Sequence, residues 1–338
     1  MMPDTLKPIN RRRFLRVVAG TAIVVSRGIP PTEATLETSD PLYGKVTLDR
    51  MTLSEKLFVH SKDIPSTTLD NWQLRVSGLI DGEAKVFAWD DLCRYPLIES
   101  MRTIECIGNP TGGEMIGNAL WKGFRFCDFA AEWGIQPAAT HAKFTCADGY
   151  QTAVTLDRLL HPDTLLVSEM NGEPLPPEHG YPLRLIVPGV YGQKMPKWIT
   201  HIELIDYPFQ GFWESLGWSD TAEVQTHAII LTPKDRARIN GKVAIQGIAF
   251  AGSREIVQVE VRINNGEWSP AWLVKGDSNL AWTQWYLEWK PTRRGSYTLE
   301  ARATDSDGFT QFVPTPRKLN HARPNGSAYI HRLILEVV

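Results

Sequence analysis

Alternation of apolar and polar positions is the first signal along the chain. Trp72-Gln73-Leu74-Arg75-Val76-Ser77-Gly78 changes character at nearly every residue, the period-two signature of a strand with one buried face. Residues 90–95 and 127–133 lack it and predict short helices, stopped near Pro96 and Gly134. Between Leu165 and Pro208, apolar pieces such as Leu183-Arg184-Leu185-Ile186-Val187 read as strands broken by Gly and Pro pairs. No regular strand-helix-strand period runs through this part, so the pattern up to about residue 225 predicts a mixed α+β domain rather than a doubly wound sheet.

After Thr226 the texture changes. Val257, Val259, Val261 and Ile263 alternate with Gln258, Glu260 and Arg262, and Asn265-Gly266 then supplies a hairpin turn. Tyr297, Leu299, Ala301 and Ala303 alternate with Thr298, Glu300 and Arg302 before a second turn at Asp307-Gly308. Short strands at this spacing predict an antiparallel, immunoglobulin-like β-sandwich over residues 226–338. Its tryptophans, Trp268, Trp272, Trp282, Trp285 and Trp289, read as core and interface residues rather than a binding platform.

Length and charge narrow the classes. The 338 residues suffice for two domains, and a net charge of −2 argues against a nucleic-acid partner. Four cysteines (Cys93, Cys106, Cys127, Cys146) are too few for a disulfide scaffold at this length; whether Cys93, Cys127 or Cys146 pair is left open. No apolar run reaches the ~18 residues of a membrane span. The start of the chain is different: Asn10-Arg11-Arg12-Arg13-Phe14-Leu15-Arg16 precedes a short apolar run at 17–25, resembling a twin-arginine export signal. Residues 1–40 are therefore expected to be signal and linker, 41–225 the first domain and 226–338 the second. The expected location is periplasmic or otherwise extracytoplasmic, with an uncleaved tether left open.

Common catalytic signatures are missing: no H-E-x-x-H, C-x-x-C, G-x-S-x-G or phosphate-loop lysine motif occurs. What remains is Cys106, at the end of a strand-like run beside the glycine-rich loop 108–113, where a thiolate suits a soft metal. A lone cysteine is as a rule simply buried. His179, Arg184 and Lys197 are three groups suited to a phosphate, with arginine as a bidentate fork.

Taken together, these segments resemble the sulfite-oxidase superfamily of molybdopterin enzymes. Ile104-Glu105-Cys106-Ile107-Gly108-Asn109 is similar to that family's cysteine motif. Glu169-Met170-Asn171-Gly172-Glu173-Pro174-Leu175-Pro176, His179-Gly180-Tyr181-Pro182-Leu183-Arg184 and Val187-Pro188-Gly189-Val190-Tyr191-Gly192, running into Lys197-Trp198, match its central signature. The resemblance spans about residues 55–338. It implies a molybdenum-molybdopterin cofactor whose metal takes its one protein ligand from Cys106. It also implies that Phe58, His60, Lys62, Asp148, His179, Arg184, Met195, Pro196 and Lys197 hold the pterin and its phosphate, and that the C-terminal domain makes a homodimer. The substrate side departs from the sulfite enzymes: His60 stands where they have an arginine, Pro110-Thr111 where arginines follow the cysteine motif, and Phe209, near Tyr207, where they have an active-site tyrosine. A cation-poor pocket binds a small dianion weakly. The expected function is oxygen-atom transfer to or from a small sulfur compound. The alternatives are a sulfoxide reductase of the same superfamily and a secreted binding protein without catalysis. No C-x-x-C-H haem site is present, so no haem is expected in this chain and a separate electron-transfer partner is implied.

Overall fold

A computed structural model of the chain describes residues 48–312 and 324–338. Arg11, Arg12 and the rest of the expected export segment lie outside the described residues. The described chain is mostly β-sheet, and its α-helices, Trp89–Leu92, Phe126–Ala130, Leu156–Leu159 and Phe212–Ser215, are single turns. This corrects the α+β balance read from the sequence. Both expected helices occur in place but stop short, the second because Phe126, Phe129 and Ala130 are drawn into the core and Gly134, at a φ of 62°, turns the chain away.

Two sheets build the first half. One runs Lys85–Ala88, Gln73–Gly78, Ile199–Ile205, His141–Cys146, Gln151–Thr155, with the pairing of Gln73–Gly78 and Ile199–Ile205 parallel and the rest antiparallel. The other pairs Ile98–Glu105 with Ile116–Arg125, which pairs with Leu165–Met170; Glu173–Pro174 and Arg184–Ile186 both add to that last strand. Leu74 and Val76, the apolar members of the first alternating run, are fully buried in the core these sheets share with Phe144, Leu166 and Ile202.

The second half is two facing sheets. His227–Thr232, Val243–Phe250, Thr283–Trp289 and Trp272–Val274 form one; Arg238–Ile239, His331–Val337, Gly295–Asp305, Ile256–Ile263 and Ser269–Pro270 form the other. Ile245 and Trp285 from the first meet Val259, Val261, Leu299, Ala301 and Leu335 from the second in one core. Two local readings are corrected. A bulge in the pairing between Ile256 and Gln258 turns Ile256 inward and leaves Val257 47% exposed, so the alternation holds only from Val259 on. The hairpin turn takes its left-handed residues one position early, at Asn264 and Asn265, with the Gly266 N–H donating to the Ile263 carbonyl at 2.9 Å. A third, smaller cluster of Ile107, Tyr191, Ala222, Val224 and Phe250 joins the two halves. The four cysteines are all free thiols.

Candidate active site

Cys106 follows directly on strand Ile98–Glu105, and its N–H still donates to the Met115 carbonyl at 3.0 Å across the hairpin. Asn109 closes the loop: its Nδ2 donates to Glu105 Oε1 at 3.0 Å and its Oδ1 accepts the Met115 N–H at 3.1 Å. The second half of the chain supplies the outer bed of this loop. Thr111 and Ser327 hydroxyls lie 2.5 Å apart, the Thr103 N–H donates to the Leu280 carbonyl at 2.9 Å, and His227 Nε2 lies 3.5 Å from Glu105 Oε1. Burial pushes the Cys106 thiol pKa up, the Gly108 N–H lowers it and Glu105 raises it. A thiol so placed becomes a thiolate when a metal cation takes its sulfur.

Cys106 opens onto a cavity of about 750 Å³. Along another wall three nitrogen-bearing side chains converge. Arg184 is buried; its Nη1 donates to the His179 carbonyl at 3.1 Å and its guanidinium lies 4.9 Å from the centre of the Trp121 ring. Among the described residues its Nε has no hydrogen-bond partner and no carboxylate pairs with it. Burial pushes the Arg184 pKa down to about 9. Lys197 Nζ donates to the Glu178 carbonyl at 2.8 Å; burial first, and Arg184 second, push its pKa down to about 7. His179 donates through Nε2 to the Ser54 carbonyl at 2.8 Å, and its pKa is lowered, chiefly by burial. Gly180, at a φ of 113°, makes this convergence possible, because a Cβ there would lie 3.0 Å from Lys197 Cβ and 3.1 Å from Arg184 Cβ.

All ten residues expected at the cofactor line this cavity: Phe58, His60, Lys62, Cys106, Asp148, His179, Arg184, Met195, Pro196 and Lys197. Tyr207 and Phe209 do not. They follow strand Ile199–Ile205 as it leaves the sheet, Tyr207 about half exposed and Phe209 with Lys143 Nζ 4.7 Å from its ring centre. The tyrosine on the lining is Tyr150, which donates to the Gln193 carbonyl at 2.7 Å and whose pKa burial raises. The turn Asp148-Gly149 carries the chain there between two paired strands, and Asp148 Oδ1 accepts the Tyr150 N–H at 3.0 Å. Also unread in the sequence was a set of aromatic lining residues, Phe212, Trp213 and Trp218, with the exposed His60 ring 5.1 Å from that of Trp213. Among the described residues Arg184 is the only arginine on the lining, and Pro110 and Thr111 are not part of it.

These residues fit a molybdenum-bearing pterin phosphate. A buried guanidinium without a counterion is costly alone, and a phosphate answers that cost with charge and acceptor oxygens together. Cys106 supplies one soft sulfur, and among the described residues no three His, Cys, Asp or Glu side chains gather into an all-protein metal site.

Comparison with known proteins agrees with the geometry. Residues 61–213 match the oxidoreductase molybdopterin binding domain. The chain is 35% identical over 161 residues to the uncharacterized oxidoreductase YuiH of Bacillus subtilis, covering 47% of this chain and 79% of that protein. It is 30% identical over 300 residues to mitochondrial sulfite oxidase of Homo sapiens, covering 73% of this chain but only 54% of the human protein, so it spans about half that relative's length. Among solved structures, the sulfane dehydrogenase SoxCD from Paracoccus pantotrophus superposes with a TM-score of 0.77 over 91% of this chain and 90% of that one at 22% identity, a likeness of fold. The mostly-β architecture is thus of the sulfite-oxidase type, and the chain belongs to the sulfite-oxidase superfamily of molybdopterin oxidoreductases.

Proposed function

We propose that this protein is a molybdenum-dependent oxidoreductase that exchanges an oxygen atom with a sulfur compound. The observation that carries the reading is the pairing, in one cavity, of the Cys106 sulfur with the nitrogen-bearing side chains of Arg184, Lys197 and His179. Arg184, Lys197 and His179 would hold the phosphate, Asp148 the pterin N–H groups and Cys106 the metal. When bound, the group supplies oxygen-atom transfer with a two-electron change at the metal. In the oxidative direction a sulfur centre gains oxygen from water and releases two protons and two electrons; the reductive direction reverses this. Tyr150, held by the Gln193 carbonyl, carries a hydroxyl on the lining that would order substrate or water. Molybdenum analysis and pterin fluorescence on purified protein, followed by assays in both directions with artificial electron donors and acceptors, test the reading. Protein free of metal and pterin after expression with molybdate sinks it and leaves a secreted binding protein as the reading.

Within this reading an uncharged sulfur substrate is favoured by one observation: among the described residues no arginine but Arg184 lines the cavity, and that one is held against Trp121 and the His179 carbonyl. We further read residues 226–338 as an immunoglobulin-like module that pairs two copies of the chain. The 58% exposed Trp272, on the strand at the end of its sheet, supports this, and light scattering at twice the chain mass would bear it out. Electrons pass to or from a separate redox protein. Export through Arg11 and Arg12 is tested by following the Arg11→Lys/Arg12→Lys variant, which should accumulate loaded in the cytoplasm.

A further inference from the structure

The short stretch from Phe212 to Trp218 contributes three aromatic side chains to the cavity, and it is fastened unusually firmly for a surface loop. Glu214, in the middle of it, is buried. Its Oε1 lies 2.6 Å from Lys194 Nζ, with the two side chains 1% and 3% exposed, and accepts the Thr152 hydroxyl at 3.3 Å. Lys194 also donates to the Ala153 carbonyl at 3.0 Å and to Asp220 Oδ1 at 2.8 Å. Lys194 belongs to the turn Gly192–Lys194, whose Gly192 and Gln193 line the cavity just ahead of Met195, Pro196 and Lys197. One buried ion pair therefore ties the aromatic segment to the wall expected to hold the pterin.

The aromatic segment reaches the sulfur. A methyl built on Gly108 would lie 3.6 Å from Trp218 Cη2 and 3.8 Å from Cys106 Sγ, so the Trp218 ring and the thiol flank the same point. At the exposed end the Trp213 ring lies tilted 5.1 Å from that of His60 and edge-to-face 5.0 Å from that of Phe212. The lining residues next to Cys106 in the chain, Ile104, Ile107 and Gly108, are apolar, and the Trp218 ring faces Gly108 beside the sulfur. A dianion placed there would give up hydration for apolar surface, whereas an uncharged molecule with an aryl or branched alkyl group would bury that group against the rings.

Resting on the oxygen-transfer reading above, we propose that residues 212–218 are the specificity wall of this enzyme, selecting an uncharged sulfoxide or thioether that carries an apolar substituent over a small sulfur oxyanion. Trp213 and Trp218 contact the substituent; Glu214 and Lys194 are positioning residues that hold the wall in place.

Calorimetric titration of the oxidised holoenzyme tests this without turnover, using methyl phenyl sulfoxide, dimethyl sulfoxide and sulfate as probes. The aryl sulfoxide should bind about 10-fold or more tighter than dimethyl sulfoxide, and sulfate no tighter than dimethyl sulfoxide. Trp213→Ala should collapse the aryl preference. Gly108→Ala, whose methyl sits at ordinary contact distance from its neighbours, should weaken the aryl sulfoxide about 10-fold while the thermal midpoint stays in place. Equal binding of the two sulfoxides, tighter binding of sulfate, or variants that weaken all three probes alike would overturn the proposal. Molybdenum content is measured on the same samples, so metal-free protein refutes the oxidoreductase reading separately from the binding ratios.

Discussion

The backbone of Gly112 and the imidazole of His331 meet with no room for a side chain between them: a Cβ on Gly112 would lie 2.2 Å from His331 Nε2. Gly112 belongs to the cysteine loop and His331 begins the last strand, so the loop that presents Cys106 is moulded against the far end of the chain. Gly112 also has a φ of 80°, which an L side chain adopts only under strain. Gly112→Ala should therefore cost about 2–4 kcal/mol in urea unfolding, larger than either backbone strain or a surface change alone. A loss under about 0.5 kcal/mol, the range of an ordinary surface change, would mean the loop yields freely.

His331 carries a pH dependence with a definite sign. Its Nδ1 accepts the Ile230 N–H at 2.9 Å, so the folded ring is neutral, and burial, opposed by Asp235 and reinforced by His227, pushes its pKa down to about 4. The unfolded ring titrates near 6.5, so between about 4 and 6.5 the unfolded state binds more protons. The contribution is present above about pH 6.5 and lost as pH falls toward 4, on the order of 2 kcal/mol for this partly accessible ring. Urea midpoints of wild type and His331→Gln across that window should converge as the pH drops. Parallel curves would assign the loss to other groups.

Cys106→Ser should abolish turnover and strip molybdenum, read by elemental analysis, while the thermal midpoint moves little. The half-buried thiol takes the Gly108 N–H, which a hydroxyl accepts as well, and Asn109 still holds the loop. Retained metal and activity would remove Cys106 from the site.

Lys194→Met leaves the Glu214 carboxylate buried without its cation. Breaking a buried pair from one side costs about 3–5 kcal/mol, and the paired replacement Lys194→Met/Glu214→Leu should recover much of it. Equal unfolding free energies for single and double variants would show that the pair is not coupled.

Lys197 predicts the pH dependence of phosphate binding to metal-free protein. Its pKa of about 7 rises when an anion joins Arg184 and His179, so binding takes up a proton and weakens as pH climbs above about 7. Calorimetry with pyrophosphate in two buffers of different ionisation enthalpy should show that uptake, and Lys197→Met should abolish it. Proton release would place Lys197 outside the anion site.

What was legible in the sequence were contiguous runs. Ile104 to Asn109, His179 to Arg184 and Val187 to Trp198 carry their meaning in local order, and each brings at least one functional side chain to the cavity: Cys106, His179 and Arg184, and Lys197. What was not legible depends on sheet pairing. Tyr150 and Trp213 come to the lining because His141–Cys146 pairs with Ile199–Ile205 and because Glu214 finds Lys194, relations that no spacing in the chain encodes. Tyr207, close to an aromatic in sequence, leaves the sheet just before the site. In the C-terminal half, alternation found the strands but could not register one extra residue, and Val257 faces outward for that reason.

The parallel pairing of Gln73–Gly78 with Ile199–Ile205 brings together residues as distant as Ser77 and His201, 124 positions apart, and the cysteine loop waits still longer for Ser327 and His331. During synthesis the first sheet is incomplete until Ile199–Ile205 has emerged and the cysteine loop lacks its outer bed until the last strand begins, and closures of that length are slow. Cofactor insertion is then an event of the finished chain, not of a growing one. A molecule that has to reach the far side of a membrane already loaded would have to make the crossing folded.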